Sequence, residues 1–157
     1  MYRMEEHPKV GSLAPDFALK DEHGDEVRLS GYRDRVNVLI AFYRGQSDPY
    51  SIKWLSQLND DYLYFRGLDT EVLGISPDRV NEALNTSTLH KIPFKLLSDP
   101  DEKVIDEYGV KGAFTYGAEA SVFVIDKAGK VRYKYIGKVP RDIPANDILL
   151  KIIRKMA

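Results

Sequence analysis

At 157 residues the chain fits one domain comfortably and two only with difficulty, and its 43% hydrophobic and 30% charged residues exclude a disordered chain. Lys plus Arg number 23 against 24 for Asp plus Glu, a formal charge of −1 that offers no global field to nucleic acid or an anionic membrane. Cysteine is absent, which excludes disulfides, zinc–thiolate sites, iron–sulfur clusters and every thiol-based reaction.

The first residues, Met1 to Pro8, are polar and lack the apolar stretch of a secretory leader. Ala14-Pro15-Asp16-Phe17-Ala18-Leu19 and Val27-Arg28-Leu29 flank the polar turn Asp21-Glu22-His23-Gly24, which predicts an N-terminal β-hairpin. Val36 to Tyr43 is almost continuously apolar and rich in β-branched and aromatic residues, the pattern of a central strand covered on both faces. This longest apolar run is far too short to span a membrane. The expectation is a soluble, cytoplasmic protein, a single domain over residues 1–157.

Asp48-Pro49 then offers an N-cap acid with proline at the first helical position. Ile52, Leu55, Leu58, Tyr62 and Phe65 recur at spacings of three and four, predicting one long helix that ends at Gly67. Val72 to Ile75 predicts the next buried strand. Ser76-Pro77 is the expected start of a second helix carrying Val80, Ala83 and Leu84. Asp99-Pro100, with Asp101 and Glu102 in its first turn, opens a third helix that stops near Gly109; negative charge there suits the positive end of the helix dipole.

Ser121 to Ile125 and Val131 to Ile136 flank the turn Asp126 to Lys130, a second hairpin. A final helix is expected to bury Ile148, Leu149, Ile152 and Ile153, with Lys151, Arg154 and Lys155 near its C-terminal end. The order is hairpin, strand, helix, strand, helix, helix, hairpin, helix. It predicts an α/β fold: a mixed central sheet with helices on both faces.

The run Phe42-Tyr43-Arg44-Gly45-Gln46-Ser47-Asp48-Pro49-Tyr50-Ser51 resembles the active-site loop of the peroxiredoxins, the AhpC/TSA family of the thioredoxin-like superfamily. One branch of that family reads FYRG, two residues, then CPYC; here the frame reads FYRG-QS-DPYS. Gly11 with Ala14 to Phe17, Gly74-Ile75-Ser76 with Asp78, Leu97-Ser98-Asp99-Pro100 with Tyr108-Gly109-Val110, and Phe123 to Asp126 with Gly129 are similar to further stretches of the family, in order from Val10 to Gly137. The resemblance implies a thioredoxin-like fold with an N-terminal hairpin extension, and dimer surfaces for a homodimer or heterodimer. It also implies the family's activity, thiol-dependent peroxide reduction.

In that frame Ser51 stands where the family's peroxide-attacking cysteine would be, and Asp48 where a threonine or a first cysteine would be. Arg44 replaces a proline, and Ala120 takes the place of an arginine that helps hold the peroxide. No catalytic position is intact. Peroxide reduction needs a thiolate that can cycle through sulfenic acid, and a serine hydroxyl stays protonated at neutral pH and has no such ladder.

Other chemistries fit less well. His7, His23 and His90 fall at the terminus, a turn and a helix end, away from any nucleophile-elbow sequence that would pair with Ser51. Histidine pairs at helical spacing are lacking, Asp60-Asp61 reads as solvated acids, and Trp54, Tyr62, Tyr64 and Phe65 read as core or interface aromatics. Asn85-Thr86-Ser87 matches a glycosylation acceptor, a match with little meaning in a chain lacking a leader. The expectation is a redox-inactive peroxiredoxin-like chain acting as a binding or assembly module on an unknown protein partner. It uses no cofactor or metal and binds neither nucleic acid nor membrane. The alternative is an antioxidant peroxide reductase whose cysteines have been replaced in this chain.

Overall fold

Two apolar surfaces on opposite sides of one sheet organise the chain. The structure, a computed structural model, describes residues 7–112, 118–139 and 142–156. The strands are β1 (Ala18–Lys20), β2 (Glu26–Arg28), β3 (Asn37–Phe42), β4 (Thr70–Ser76), β5 (Lys95–Ser98), β6 (Ser121–Ile125) and β7 (Val131–Ile136). They join in one sheet of order β2-β1-β5-β4-β3-β6-β7. The β3–β4 and β4–β5 pairs are parallel; β1–β2, β1–β5, β3–β6 and β6–β7 are antiparallel. This is the mixed sheet that the pattern predicts, with the N-terminal hairpin at one edge.

Alternation along the strands decides which face each side chain covers. Val38, Ile40 and Phe42 of β3 join Leu73, Ile75 and Phe123 on one face, under Phe17, Val104, Ile105 and Tyr108. Leu39, Ala41 and Tyr43 join Val72, Val122 and Val124 on the other, under the helices α1 (Pro49–Asp60), α2 (Tyr62–Gly67), α3 (Val80–His90) and α5 (Asn146–Arg154). The short helix α4 (Lys103–Glu107) belongs to the first face. Leu39 to Tyr43 are wholly buried, so every residue there must be apolar or partnered, which explains the unbroken run.

Several expectations are corrected. The long helix is two: α1 ends at Asp60, and Asp61 (φ −115°, ψ 15°) caps α2. Asn59, Asp60 and Asp61 are poor helix formers, and acids sit badly at a helix C-terminus. The Asp61 carboxylate instead accepts from Asn146 Nδ2 at 3.0 Å, tying the break to α5. Tyr64 points out, 65% exposed, while Trp54 and Phe65 are buried.

Ser76-Pro77 does not open a helix. Ser76 ends β4, and α3 begins at Val80, where Glu82 Oε1 reaches back to accept from the Arg79 N–H at 2.9 Å. The helix after Asp99 starts at Lys103, not in the Asp101–Glu102 turn. Asp99 still caps it, accepting from the N–H groups of Lys103 (3.1 Å) and Ile105 (2.8 Å). The strand β5 was not expected: two leucines between Lys95 and Ser98 carry too little pattern to separate strand from loop. In α5 the buried residues are Leu149, Leu150 and Ile153, while Ile148 is half exposed. In α3, Leu84 is exposed.

Candidate functional site

Parallel pairing delivers the candidate residues to one end of the sheet. β3 leaves the sheet after Phe42, the loop Tyr43–Ser47 crosses its C-terminal end, and α1 starts at Pro49. Asp48 is the N-cap as its sequence predicts: extended (φ −97°, ψ 113°), its Oδ1 accepting from the Tyr50 N–H at 3.3 Å, with proline next. Ser51, in the first turn, is 96% buried (4% exposed), and its hydroxyl has two partners. Its Oγ donates to Asp48 Oδ2 at 2.8 Å and accepts from the Arg44 N–H at 3.1 Å. Arg44, Asp48 and Ser51 therefore meet.

The Arg44 contribution is its main chain. Among the described residues its half-buried guanidinium makes no hydrogen bond or ion pair. Ala120 lies at the same end: β6 pairs antiparallel with β3, Ser121 opposite Phe42, so the residue before it comes beside Tyr43. Its methyl packs on the Tyr43 face and its carbonyl accepts from the Gly137 N–H at 2.8 Å. The end of the sheet thus holds a buried serine, a carboxylate beside it, one main-chain donor and, among the described residues, no side-chain cation bonded to the serine.

None of the histidines bonds this serine. His7 Nδ1 meets the Tyr108 carbonyl at 3.2 Å, His23 sits in the β1–β2 turn and His90 ends α3. With its proton held toward Asp48 and no imidazole to accept it, Ser51 lacks the relay that activates a nucleophilic serine. Among the described residues no three His, Asp or Glu side chains are grouped to hold a metal ion, and no helix is long and apolar enough to cross a membrane.

One part of the site escaped the sequence reading. The loop is gripped from the α3 side by two acids. Asp78 Oδ2 accepts from the Gln46 N–H at 2.9 Å, and Glu82 Oε2 accepts from Gln46 Nε2 at 2.9 Å. Gly45, at φ 144°, lies so close to Asp78 that a Cβ there would stand 2.8 Å from Oδ1, so only glycine fits. Burial raises the Asp78 carboxyl to about 6, against the Gln46 N–H bond and with help from Glu82. Tyr43, wholly buried beneath the loop, has a phenol pushed far above its ordinary range by burial. The signal that could have found this grip is Ser76-x-Asp78 directly after a buried strand, facing a loop glycine.

The sequence pattern of the AhpC/TSA family matches residues 10–134. The chain belongs to that family. It is 37% identical over 127 residues to Peroxiredoxin Q, chloroplastic, of rice (Oryza sativa subsp. japonica), a match covering 80% of this chain and 58% of the rice protein. It is 33% identical to Peroxiredoxin Bcp of Bacillus subtilis, covering 78% of this chain and 82% of that protein. Among solved structures, Peroxidoxin BcpB from Mycobacterium tuberculosis superposes with a TM-score of 0.86 at 27% identity, covering 96% of this chain and 99% of that one. A 2-Cys peroxiredoxin from Plasmodium vivax, at 24% identity and TM-score 0.84 over 94% of this chain and 81% of that one, shares the fold. The chain thus spans little more than half the length of the rice relative. It is an AhpC/TSA-family chain of thioredoxin-like fold that contains no cysteine.

Proposed function

We propose that this AhpC/TSA-family chain has lost the thiol chemistry of its relatives and works as a binding or assembly module. The observation that carries this reading is the state of Ser51. A buried hydroxyl, bonded to Asp48 and to the Arg44 N–H, occupies the helix turn where the family resemblance puts the reacting thiol. A thiolate attacks one peroxide oxygen, the S–O bond forms as the O–O bond breaks, and the other oxygen departs as water or an alcohol, leaving sulfenic acid; a serine oxygen has neither the ionisation nor the oxidation states to follow. Asp48 adds a negative charge at the spot where an attacking anion would need to form, and Ala120 supplies no cation.

The site is nevertheless kept as an ordered surface, with its loop gripped by Asp78 and Glu82. That order supports recognition of a partner, either a second copy of the chain or another protein, in the cytoplasm. The alternative, a peroxide reductase whose cysteines were replaced, accounts for Ser51 but leaves Asp48 and Ala120 without a reason. Two measurements test the proposal. Stopped-flow peroxide assays with and without a thioredoxin system should give no turnover above buffer, and turnover would sink it. Light scattering of the purified chain and affinity capture with a site-blocked control (Arg44→Glu) should show an assembly that the substitution weakens.

A further inference from the structure

Past Ser51, α1 and the start of α5 enclose a cleft of about 650 Å³, a volume in the range of ligand sites. Tyr50, Lys53, Trp54 and, at the far end, Asp60 stand on the α1 wall; Pro144 and Asp147 stand on the other. Asn146 Nδ2 closes that far end, donating to the Gln57 carbonyl at 2.6 Å and to Asp61 Oδ2 at 3.0 Å. Asp60 and Asp147 are each the chain neighbour of one partner in the second bond, so both acids come to the same end. Among the described residues neither has an ion pair, and one Asp147 oxygen accepts from the Ile148 N–H at 3.0 Å. Lys53, seven residues before Asp60, lies about 10 Å away along the helix axis, at the opposite end.

The wall between these ends holds an unmet donor. Trp54 is 2% exposed, and its indole Nε1 is buried with no hydrogen-bond partner. Buried indole N–H groups ordinarily have one. The side chains of its core cluster are apolar, which leaves the cleft as the side from which an acceptor can come.

We propose that the cleft takes an arginine presented by a basic segment of another protein. The guanidinium goes to Asp60 and Asp147, where a planar fork of donors suits carboxylates. The aliphatic stem runs along Pro144 and the indole. The carbonyl of the same residue comes to the Trp54 N–H and supplies the missing acceptor. Trp54 and Asp60 are six residues apart, about 9 Å along the axis, close to the span of an arginine from carbonyl to guanidinium. A peptide meets both needs, whereas a simple guanidinium compound brings the charge without the carbonyl. The cleft does this whether or not Ser51 reacts with peroxide.

The chain has one tryptophan, so a single indole N–H signal reports on the cleft. The probe is the capped tripeptide acetyl-Ala-Arg-Ala-amide, titrated to millimolar concentration into the full chain and followed by proton–nitrogen NMR. The indole proton should move downfield to saturation as it gains an acceptor. The citrulline version of the peptide, of the same shape without the charge, should bind about 10-fold more weakly. The arginine peptide should lose a similar factor on the double variant Asp60→Asn, Asp147→Asn, whose substitutions lie at exposed positions. Trp54→Phe should weaken it about 3–10-fold, the worth of one hydrogen bond. Agmatine, which lacks the carbonyl, should bind more weakly than the peptide and leave the indole signal in place. An indole signal unmoved by the arginine peptide overturns the proposal. Equal affinity for the arginine and citrulline peptides, or an unaffected double variant, does the same. Agmatine binding as tightly as the peptide would assign the cleft to a small guanidinium compound and overturn the protein partner.

Discussion

At the scale of single residues, Asp48 holds two positions at once. Oδ1 caps the Tyr50 N–H and Oδ2 accepts the Ser51 hydroxyl, so one side chain satisfies a helix end and a buried donor. Asp48→Ala removes both and should cost about 1 kcal/mol, read as a shift in the urea midpoint. A stabilising result would mean that the acid is kept for something other than folding. Ser51 can be interrogated with sulfur. Ser51→Cys places a thiol at a helix N-terminus with the Arg44 N–H toward it, both of which favour thiolate, and with the Asp48 carboxylate beside it, which does not. The single variant should therefore be modestly acidic and slow with peroxide. Adding Asp48→Thr and Ala120→Arg should lower the thiol further and speed the reaction, measured by the pH dependence of alkylation. A thiol in the triple variant at or above the unperturbed ~8.5 would show that the pocket has lost the geometry of its relatives.

At the scale of elements, what could be read in advance tracks how much pattern each segment carries. β3, β6 and β7 were legible because long apolar or alternating runs admit one interpretation, and the Asp48-Pro49 start of α1 because cap and proline agree. β5 was not, since its identity comes from its neighbours: Leu96 and Leu97 become a strand by pairing with β4 and accepting burial from both sides. The break at Asp61 was hidden because Tyr62 and Phe65 continue the spacing of Leu55 and Leu58 across it. The site divides the same way. Ser51, Asp48 and Arg44 lie within one stretch of eight residues and are readable there, whereas the Asp78 grip joins residues 32 apart and needs the fold.

A close approach between elements also makes a prediction. β4 passes so near β3 and β5 at Gly74 that a Cβ would lie 2.8 Å from Leu96 Cδ2 and 3.0 Å from Tyr43 Cε1. Gly74→Ala should destabilise by about 1–3 kcal/mol through overpacking, visible as a lowered urea midpoint. Tyr43 sits under the site loop, so the same variant should raise amide exchange there more than in β7. Equal stability would mean that Leu96 and Tyr43 have room to give.

At the scale of the whole molecule, the buried acids set how stability depends on pH, and they pull in opposite directions. Asp78 and Asp99 are held above the ordinary carboxylate range chiefly by burial. For Asp16 and Asp21 burial also acts upward, but main-chain N–H bonds, joined at Asp21 by Lys95, outweigh it and hold both below. An acid raised on folding binds its proton more tightly in the native state, so its contribution is present in full below the unfolded value and is lost as pH climbs through the native one. An acid lowered on folding contributes above the unfolded value and loses that contribution as pH falls. On these groups stability should therefore peak near pH 4, declining on the acid side as Asp16 and Asp21 take protons and on the other side between 3.8 and about 6, where the unfolded chain has released the Asp78 proton that the native state still holds. The step from 3.8 to about 6 sets an upper bound of about 3 kcal/mol on the Asp78 share. Asp78→Asn, neutral at every pH, should leave stability at pH 4 nearly unchanged and raise it at pH 8 by about 1–3 kcal/mol, flattening the decline between pH 4 and 6. Urea midpoints for both proteins at intervals from pH 4 to pH 8 measure this directly. Two curves running parallel across that range would show that the native state does not hold the Asp78 proton, and the alkaline decline would then belong to Asp99 or to other groups.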